Sequence, residues 1–253
     1  MTANVTRIFD ATILNEVCNH PKVRPWLGGD IDQPLDLTHI VNSPNNIVLC
    51  HDGFYAIYIQ VQPGLYEVHT QASAVAPPKN TAASASATLH WMFTQTNCIE
   101  VLTRVPDGNV PAKHLTINTG FKFDFRVARG WQVSGNVEEC DILSLPLAGW
   151  IATAPGLVEA GEEFHHQVEE ACKVAGVKRA EHPDDANHDR WAGAAFEMVK
   201  GGQIGKAVLS YNRWAAMGGY MPIAPVSLSP LIIHIGDMAL RVHDNHLEVL
   251  KCQ

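Results

Sequence analysis

Hydrophobic and polar residues alternate in short runs over the first half of the chain, and this period of two is typical of half-buried strands. Asp52-Gly53 and Pro63-Gly64 are strong turn signals between the later runs. Asp10 stands where it can cap a helix over residues 11–19. The predicted strands of this region cover residues 5–9, 46–51, 54–60 and 64–70. The last three form a predicted antiparallel meander.

The pattern changes to helix, strand, helix and strand over residues 87–125. Asn109 is a predicted cap for the second of these helices. Phe121, Phe123 and Phe125 alternate with polar residues, which predicts a half-buried strand. The other predicted elements are a helix at 82–96, strands at 98–105 and 137–147, and a turn at 130–135.

Helical spacing dominates the second half of the chain. From Leu157 to Ala175, apolar residues recur every three to four positions, opposite a face rich in glutamate. Thr153 to Gly156 is a predicted linker. We therefore predict two domains, residues 1–152 and 153–253. The second is predicted to contain helices at about 157–217 and short strands at 227–235, 238–242 and 246–251, which together span about 227–251.

A strand ending in Pro106, then Asn109, a helix and Gly120-Phe121-Lys122 follow one another in the first domain. This order resembles the late core of the GNAT superfamily of N-acetyltransferases. The preceding segment WMFTQT, residues 91–96, is similar to bacteriophage-encoded GNAT-like proteins, which are nearest in form. The resemblance covers roughly residues 1–150. It implies an α+β fold with a GNAT-like mixed sheet flanked by helices, followed here by the smaller helical-plus-strand domain.

The resemblance implies that the loop after the fourth strand and the next helix N-terminus bind the pyrophosphate of acetyl-CoA. Glycines normally let such a loop approach the phosphates closely. Here no glycine lies between Gly64 and Gly108, and the two prolines of the loop have no N–H donor. The residues that the resemblance leaves for the cofactor are Lys79, Asn80, Thr81, Ala82 and Asn109.

Glu67 and His69 stand two residues apart on the fourth strand and therefore share one of its faces. Members of the family often place a base on this strand, so the resemblance implies Glu67 and His69 as candidate catalytic groups. The alternative is a solvated or hydrogen-bonded strand face. The tyrosine that the family often uses as an acid has no counterpart, because no tyrosine occurs between Tyr66 and Tyr211.

The charge and cysteine content limit the classes of function. The 253-residue chain has a formal net charge of −8 and no clustered lysines or arginines, which disfavours direct nucleic-acid binding. Its six cysteines form no CxxC pair, as expected of reduced thiols in a cytoplasm. No apolar run approaches the roughly 20 residues of a membrane span. Residues 165–170 and 182–189 are rich in His and acidic side chains but match no defined ligand spacing, so no metal site is predicted.

Residues 211–220 combine tyrosine, tryptophan, arginine and methionine, which are the residue types enriched at interface hot spots. Arg213, Trp214 and Tyr220 are the predicted anchors of an assembly surface on the second domain. The alternative is that these side chains fill the junction between the two domains.

Two functions remain open. In the first, the chain is a catalytically degenerate structural or assembly component of a bacteriophage virion. It would need no cofactor and would contact itself and other virion proteins, after synthesis in the host cytoplasm. The alternative is an acetyl-CoA-dependent N-acetyltransferase that acts on an amine acceptor. The loop without glycine and the missing tyrosine favour the first function.

Overall fold

The computed structural model describes residues 4–133, 136–178, 185–220, 222–228, 231–235, 238–243 and 247–250. The chain divides into two compact units. Unit 1 comprises Met1–Phe93 and Asn97–Ala154, and unit 2 comprises Thr94–Thr96 and Pro155–Gln253. None of the described helices has both the length and the apolar character that crossing a membrane requires.

In the described part of unit 1, seven strands form one sheet in the order β1-β2-β3-β4-β5-β7-β6. Neighbouring strands are antiparallel, except that β4 and β5 run parallel. The predicted turn at Asp52-Gly53 is confirmed, since both residues have left-handed φ angles, 48° and 73°. The strands are β1 (Thr6–Arg7), β2 (Ile47–His51), β3 (Phe54–Gln62), β4 (Leu65–Ala72), β5 (Glu100–Pro106), β6 (Lys122–Val133) and β7 (Asn136–Pro146).

Helices cover this sheet, and local capping fixes where two of them begin. Asp10 accepts a hydrogen bond from the Thr12 N–H, and Asn109 accepts one from the Ala112 N–H, so both predicted caps are confirmed. A short 3-10 helix occupies Arg24–Trp26. The α-helices are α1 (Ala11–Cys18), α2 (Thr38–Val41), α3 (Thr81–Gln95), α4 (Val110–Asn118) and α5 (Leu147–Thr153).

The core of unit 1 includes the contact between α3 and α5. Phe93 is fully buried and stacks on Trp150, with ring centroids 5.0 Å apart and planes inclined by 22°. Met92 beside it is also fully buried, whereas Trp91 is half-buried. The apolar stripe of α3 therefore faces the core through Met92 and Phe93.

The prediction of a half-buried strand at Phe121, Phe123 and Phe125 is wrong for two of the three rings. Phe121 is buried, but Phe123 and Phe125 are 58% and 57% exposed. β6 is an edge strand, and a register shift between Phe123 and Phe125 interrupts the regular alternation against β7. Both rings therefore remain in solvent.

The turn predicted over 130–135 is wrong in its first part, because β6 continues to Val133. Residues 134–135 lie outside the described part of the chain. A Cβ atom on Gly130 would lie 2.4 Å from the Cβ of Cys140. The glycine thus allows the two strands to approach closely, which is a second use of glycine that a turn prediction does not consider.

Unit 2 consists of helices and a small antiparallel sheet. The sheet has the order β11-β10-β9-β8, and its apolar core contains Val168 and Cys172 with Ile233, Leu240 and Leu247. The single strand predicted over 227–235 is two paired strands. The elements described are α6 (Leu157–Ala175), α7 (Ala186–Lys200), α8 (Ile204–Gly218), β8 (Ile223–Leu228), β9 (Leu231–Ile235), β10 (Met238–Val242) and β11 (Leu247–Leu250). The two units together confirm the predicted fold class.

Phe93→Ala removes a fully buried ring that stacks on Trp150. We expect a loss of about 3–5 kcal/mol in the free energy of unfolding, because the contact disappears and a cavity remains. Phe123→Ala is the matched control, since it makes the same change at a ring that is 58% exposed. It should cost under about 1 kcal/mol. Urea unfolding followed by circular dichroism measures both, and equal losses would contradict this packing.

Candidate active site

The parallel contact between β4 and β5 is short, and the strands part beyond it. The last residue pair of this ladder joins Glu67 to Leu102. After that point a side chain bridges the strands, because the Thr103 hydroxyl donates to the Val68 carbonyl oxygen at 3.0 Å. We call the gap between the two strands beyond Glu67 the central opening.

The helices α3 and α4 lie over one face of the central opening and line a cavity of about 30 Å³ that is partly open to solvent. Four of the five threonines in the wall donate to carbonyl oxygens of the chain, as where the Thr116 hydroxyl donates to the Ala112 carbonyl oxygen at 2.7 Å. The cavity has room for water, whereas a larger ligand requires the walls to move apart. The lining residues are Tyr58, Val68, Thr70, Ala85, Thr88, Leu89, Thr103, Leu115, Thr116, Thr119 and Phe121.

Tyr58 is a functional candidate that the sequence analysis did not identify. It lies on β3 opposite Val68, and its hydroxyl donates to Thr88 Oγ1 at 3.1 Å. Burial raises the pKa of Tyr58, although the hydrogen bond with Thr88 opposes the shift, so the phenol keeps its proton. Antiparallel pairing across the predicted turn at Pro63-Gly64 could have identified Tyr58 from the sequence. The pairing is hard to predict, because a β-bulge between Gln60 and Gln62 shifts the register.

The other face of the central opening carries a cluster of polar side chains. Glu67 alternates with Val68 along β4 and so lies on the face away from the cavity. Arg104 binds both carboxylate oxygens, with Nε 2.9 Å from Oε1 and Nη2 3.1 Å from Oε2. His69 Nε2 lies 3.3 Å from Glu67 Oε1. The structure therefore brings the predicted pair together and adds an arginine that the sequence analysis missed.

The groups around Glu67 shift the pKa of its carboxylate. Burial raises the pKa of Glu67, but the hydrogen bond with His69 and the charges of His69 and Arg104 outweigh it. The pKa of Glu67 therefore lies below its ordinary value. A carboxylate stabilised in its ionised form is a weak base. The ionised Glu67 carboxylate can therefore hold the His69 imidazole through their 3.3 Å contact.

One tryptophan stacks on His69, and the backbone of a second holds it in place. Trp131 of β6 stacks on the imidazole with ring centroids 5.6 Å apart, and its Nε1 donates to the Trp26 carbonyl oxygen at 2.9 Å. The buried Arg24 guanidinium holds the loop that follows Trp26 through hydrogen bonds to three of its carbonyl oxygens. This loop, residues 24–33, therefore forms a fixed wall next to the Glu67–His69 face.

The predicted cofactor residues lie at the N-termini of two helices. Asn80 accepts a hydrogen bond from the Ala83 N–H at 3.0 Å, and Asn109 caps α4 in the same way. Thr81 and Ala82 form the first turn of α3, where backbone N–H groups have no partner within the helix. Such a helix end attracts anions.

An internal carboxylate binds the same loop. The Lys79 N–H donates to Asp52 Oδ2 at 3.0 Å. Asp52 belongs to the β2–β3 turn, and the Ser73 N–H also donates to the Gly53 carbonyl oxygen of this turn at 2.9 Å. Asp52 therefore places a negative charge where the resemblance implies a pyrophosphate. Sequence patterns do not show this contact, because 27 residues separate the two partners.

The predicted interface anchors differ from one another in burial. Trp214 is 8% exposed and stacks on Trp191 at 5.4 Å and on Tyr220 at 4.7 Å. The Tyr220 hydroxyl donates to Asp185 Oδ2 at 2.9 Å, whereas Arg213 is exposed on α8. Packing within unit 2 thus accounts for Trp214 and Tyr220. An intermolecular role for Arg213, Trp214 and Tyr220 stays a prediction.

Comparison with known proteins identifies the fold. The sequence matches no protein-family profile and no curated protein. Spermidine N-acetyltransferase from Vibrio cholerae, solved with CoA and spermine, superposes with a TM-score of 0.51 at 11% identity, over 58% of this chain and 97% of that one. Ribosomal-protein-S5-alanine acetyltransferase from Vibrio fischeri gives 0.47 at 15% identity, over 58% and 93%. The first of these likenesses shows that the chain contains the GNAT acetyltransferase fold. The nearer resemblance to bacteriophage proteins stays a prediction.

Glu67→Gln tests the ion pair through its pH dependence. Because the folded pKa lies below the ordinary value, the ionised carboxylate stabilises the fold fully above about pH 5. This contribution is lost as the pH falls through the folded pKa. We expect the variant to be about 2 kcal/mol less stable at neutral pH.

The difference in unfolding free energy should shrink below about pH 4. Urea unfolding across this pH range measures it. Glu162→Gln, at an exposed position on α6, is the control and should differ little from the unmodified chain at every pH. A constant difference for Glu67→Gln would show that its carboxylate gains nothing from ionisation.

Proposed function

We propose that the chain is an acetyl-CoA-dependent N-acetyltransferase that acts on an amine acceptor. One observation carries this proposal: the central opening has a covered cavity on one face and the Glu67–His69 pair on the other. Such an opening can hold a thioester from one side and present an amine from the opposite side. Because a fold does not fix a function, the proposal rests on this site rather than on the GNAT fold alone.

The residues present fit acetyl-CoA in their chemistry. The N–H groups of Thr81 and Ala82 suit a pyrophosphate, and Lys79 adds a positive charge beside them. The threonine-rich cavity suits an amide-containing arm, provided that its walls move apart. When bound, the cofactor supplies an activated acetyl group. Asp52 opposes this binding, because its carboxylate repels an anion.

The side chains on the open face have separate tasks in this reaction. His69 takes a proton from the acceptor nitrogen, and Glu67 stabilises the imidazolium that forms. Arg104 keeps Glu67 ionised through its two contacts. Trp131 stacks on the imidazole and restricts its rotation. On the cavity side, Tyr58 keeps a protonated phenol.

A structural role is the second candidate: a homo-oligomeric assembly component, as in a bacteriophage virion, that needs no cofactor. One exposed face of α8 favours it. Leu209 and Met217 are 72% and 78% exposed, and they flank Arg213 at a spacing of four residues. Exposed apolar residues next to an arginine are typical of contact surfaces. Light scattering of the purified chain distinguishes a closed oligomer from a monomer.

His69→Gln tests the catalytic assignment. We expect the unmodified chain to release free thiol from acetyl-CoA when supplied with primary amines, such as a polyamine or a peptide with a free N-terminus. The variant should lose about 100-fold or more in kcat, because the proton acceptor is gone. His166→Gln, at an exposed position on α6, should keep full activity. Loss of activity in both variants, or in neither, would contradict the assignment.

Asp52→Asn tests the loop that binds the cofactor. The amide oxygen of asparagine can still accept from the Lys79 N–H, and asparagine tolerates the left-handed φ of 48°, so the main change is the loss of charge. We expect acetyl-CoA to bind the unmodified chain with a dissociation constant near 1 mM, about −4 kcal/mol. The variant should bind roughly 5- to 10-fold more tightly.

Isothermal titration calorimetry with acetyl-CoA measures both affinities. Asp124→Asn removes the same charge from an exposed position on β6 and is the matched control. Equal tightening in both aspartate variants would mean that net charge alone is responsible. Low-micromolar binding by the unmodified chain would show that the Asp52 contact does not weaken the loop.

A further inference from the structure

Two buried histidines and an aspartate meet where α6 packs on α7. His165 is 7% exposed and His188 is 5% exposed. His165 Nε2 lies 3.2 Å from Asp189 Oδ1, and His188 Nδ1 lies 4.0 Å from the same oxygen. One ligand atom from each of the three side chains falls within 4.8 Å of the other two. We call these residues the histidine cluster.

Glycines bring the two helices close enough to form the histidine cluster. A Cβ atom on Gly161 would lie 2.0 Å from the Asp189 carbonyl oxygen, and one on Gly193 would lie 2.0 Å from the Leu157 carbonyl oxygen. Gly161 precedes His165 by four residues, and Gly193 follows Asp189 by four, so each contact is one helical turn from the cluster. The short distance between the backbones therefore sets the positions of the ligand atoms.

A tyrosine fixes which nitrogen of His188 faces Asp189. The Tyr211 hydroxyl lies 3.2 Å from His188 Nε2. Its oxygen can accept the Nε2 proton, which leaves the Nδ1 lone pair directed to the cluster. A hydrogen bond to the second ring nitrogen is the usual support of a metal-binding histidine.

One of the two distances to Asp189 Oδ1 exceeds hydrogen-bond range. At 4.0 Å, His188 Nδ1 is too far from Asp189 Oδ1 for a hydrogen bond. Two atoms that bind one zinc ion at about 2.0–2.2 Å are separated by about 3–4 Å. The two measured separations fall in this range. The ligand atoms of His165 and His188 lie within 4.8 Å of each other, so a shift of less than about 1 Å brings this pair into the same range.

We propose that His165, His188 and Asp189 bind a divalent transition-metal ion, with Zn²⁺ as the best match. Two imidazoles and one carboxylate are ligand types that zinc accepts in sites with three protein ligands. The cation balances a carboxylate that is only 13% exposed and has an oxygen 3.2 Å from His165 Nε2 and 4.0 Å from His188 Nδ1. The ion joins α6 to α7 and stabilises unit 2, because the unfolded chain has no such site.

The 253-residue chain, without a polyhistidine tag, tests the proposal after treatment with a chelator and dialysis. We expect calorimetric titration with ZnCl₂ to show one tight site, and bound Zn²⁺ to raise Tm. Asp189→Asn should weaken the binding by 100-fold or more while nearly preserving the size of the side chain. Tyr211→Phe should weaken it by about 10- to 100-fold, since it removes only the hydrogen bond to His188. His166→Ala, next to His165 but exposed, is the matched control and should bind normally.

Two outcomes overturn the proposal. One is the absence of a tight site, and the other is equal zinc binding by the unmodified chain and by Asp189→Asn. Should Asp189→Asn fail to fold, as judged by circular dichroism, the unmodified chain with CoCl₂ decides. A site that removes most of the water ligands from Co²⁺ gives strong visible absorption, whereas Co²⁺ on surface histidines remains almost colourless. No new absorption at one equivalent of Co²⁺ would exclude the histidine cluster as a metal site.

Discussion

The short parallel ladder between β4 and β5 determines how the rest of unit 1 is arranged. On its outer side β4 pairs with β3 along its whole length, and β5 pairs with β7 in the same way. On their inner sides the two strands pair over three residues only. Each half of the sheet is therefore held by its own antiparallel ladder, and the two halves are free to twist apart. Inner backbone groups of β4 beyond Glu67 need side chains, water or a ligand as partners, which makes the central opening a natural binding position.

Side chains connect both faces of the sheet at the point where the ladder stops. On the cavity face, Thr103 donates to the Val68 carbonyl oxygen. On the open face, Arg104 holds the Glu67 carboxylate with two contacts. Both bridges run from β5 to β4 at neighbouring positions, so the start of the central opening is fixed on both sides. The same arginine that fixes the opening acts together with His69 to hold the pKa of Glu67 below its ordinary value.

Local signals predicted most of the fold, whereas much of the candidate site depends on contacts that sequence patterns do not show. Asp10, Asn109 and Asp52-Gly53 act within a few residues of themselves, and their caps and turn were predicted correctly. The contacts of Tyr58, Trp131 and the Asp52 carboxylate join positions 30, 105 and 27 residues apart. Predicting these contacts requires the register of the strands, and a bulge or a short ladder shifts that register. The exposure of Phe123 was missed for a related reason, because alternation alone does not show that β6 lies at an edge.

Unit 2 also contains a contact that sequence patterns do not predict. A glycine inside a helix costs about 1 kcal/mol relative to alanine, so a sequence pattern treats Gly161 and Gly193 only as weaknesses. In the structure each glycine meets the backbone of the opposite helix at a distance that no side chain allows. The packing gained must offset about 2 kcal/mol of lost helix propensity, and this close approach is what brings His165 to His188 and Asp189. The two groups of histidine and acidic residues are separate in the sequence. Both contribute to the histidine cluster, because the glycines allow the two helices to approach closely.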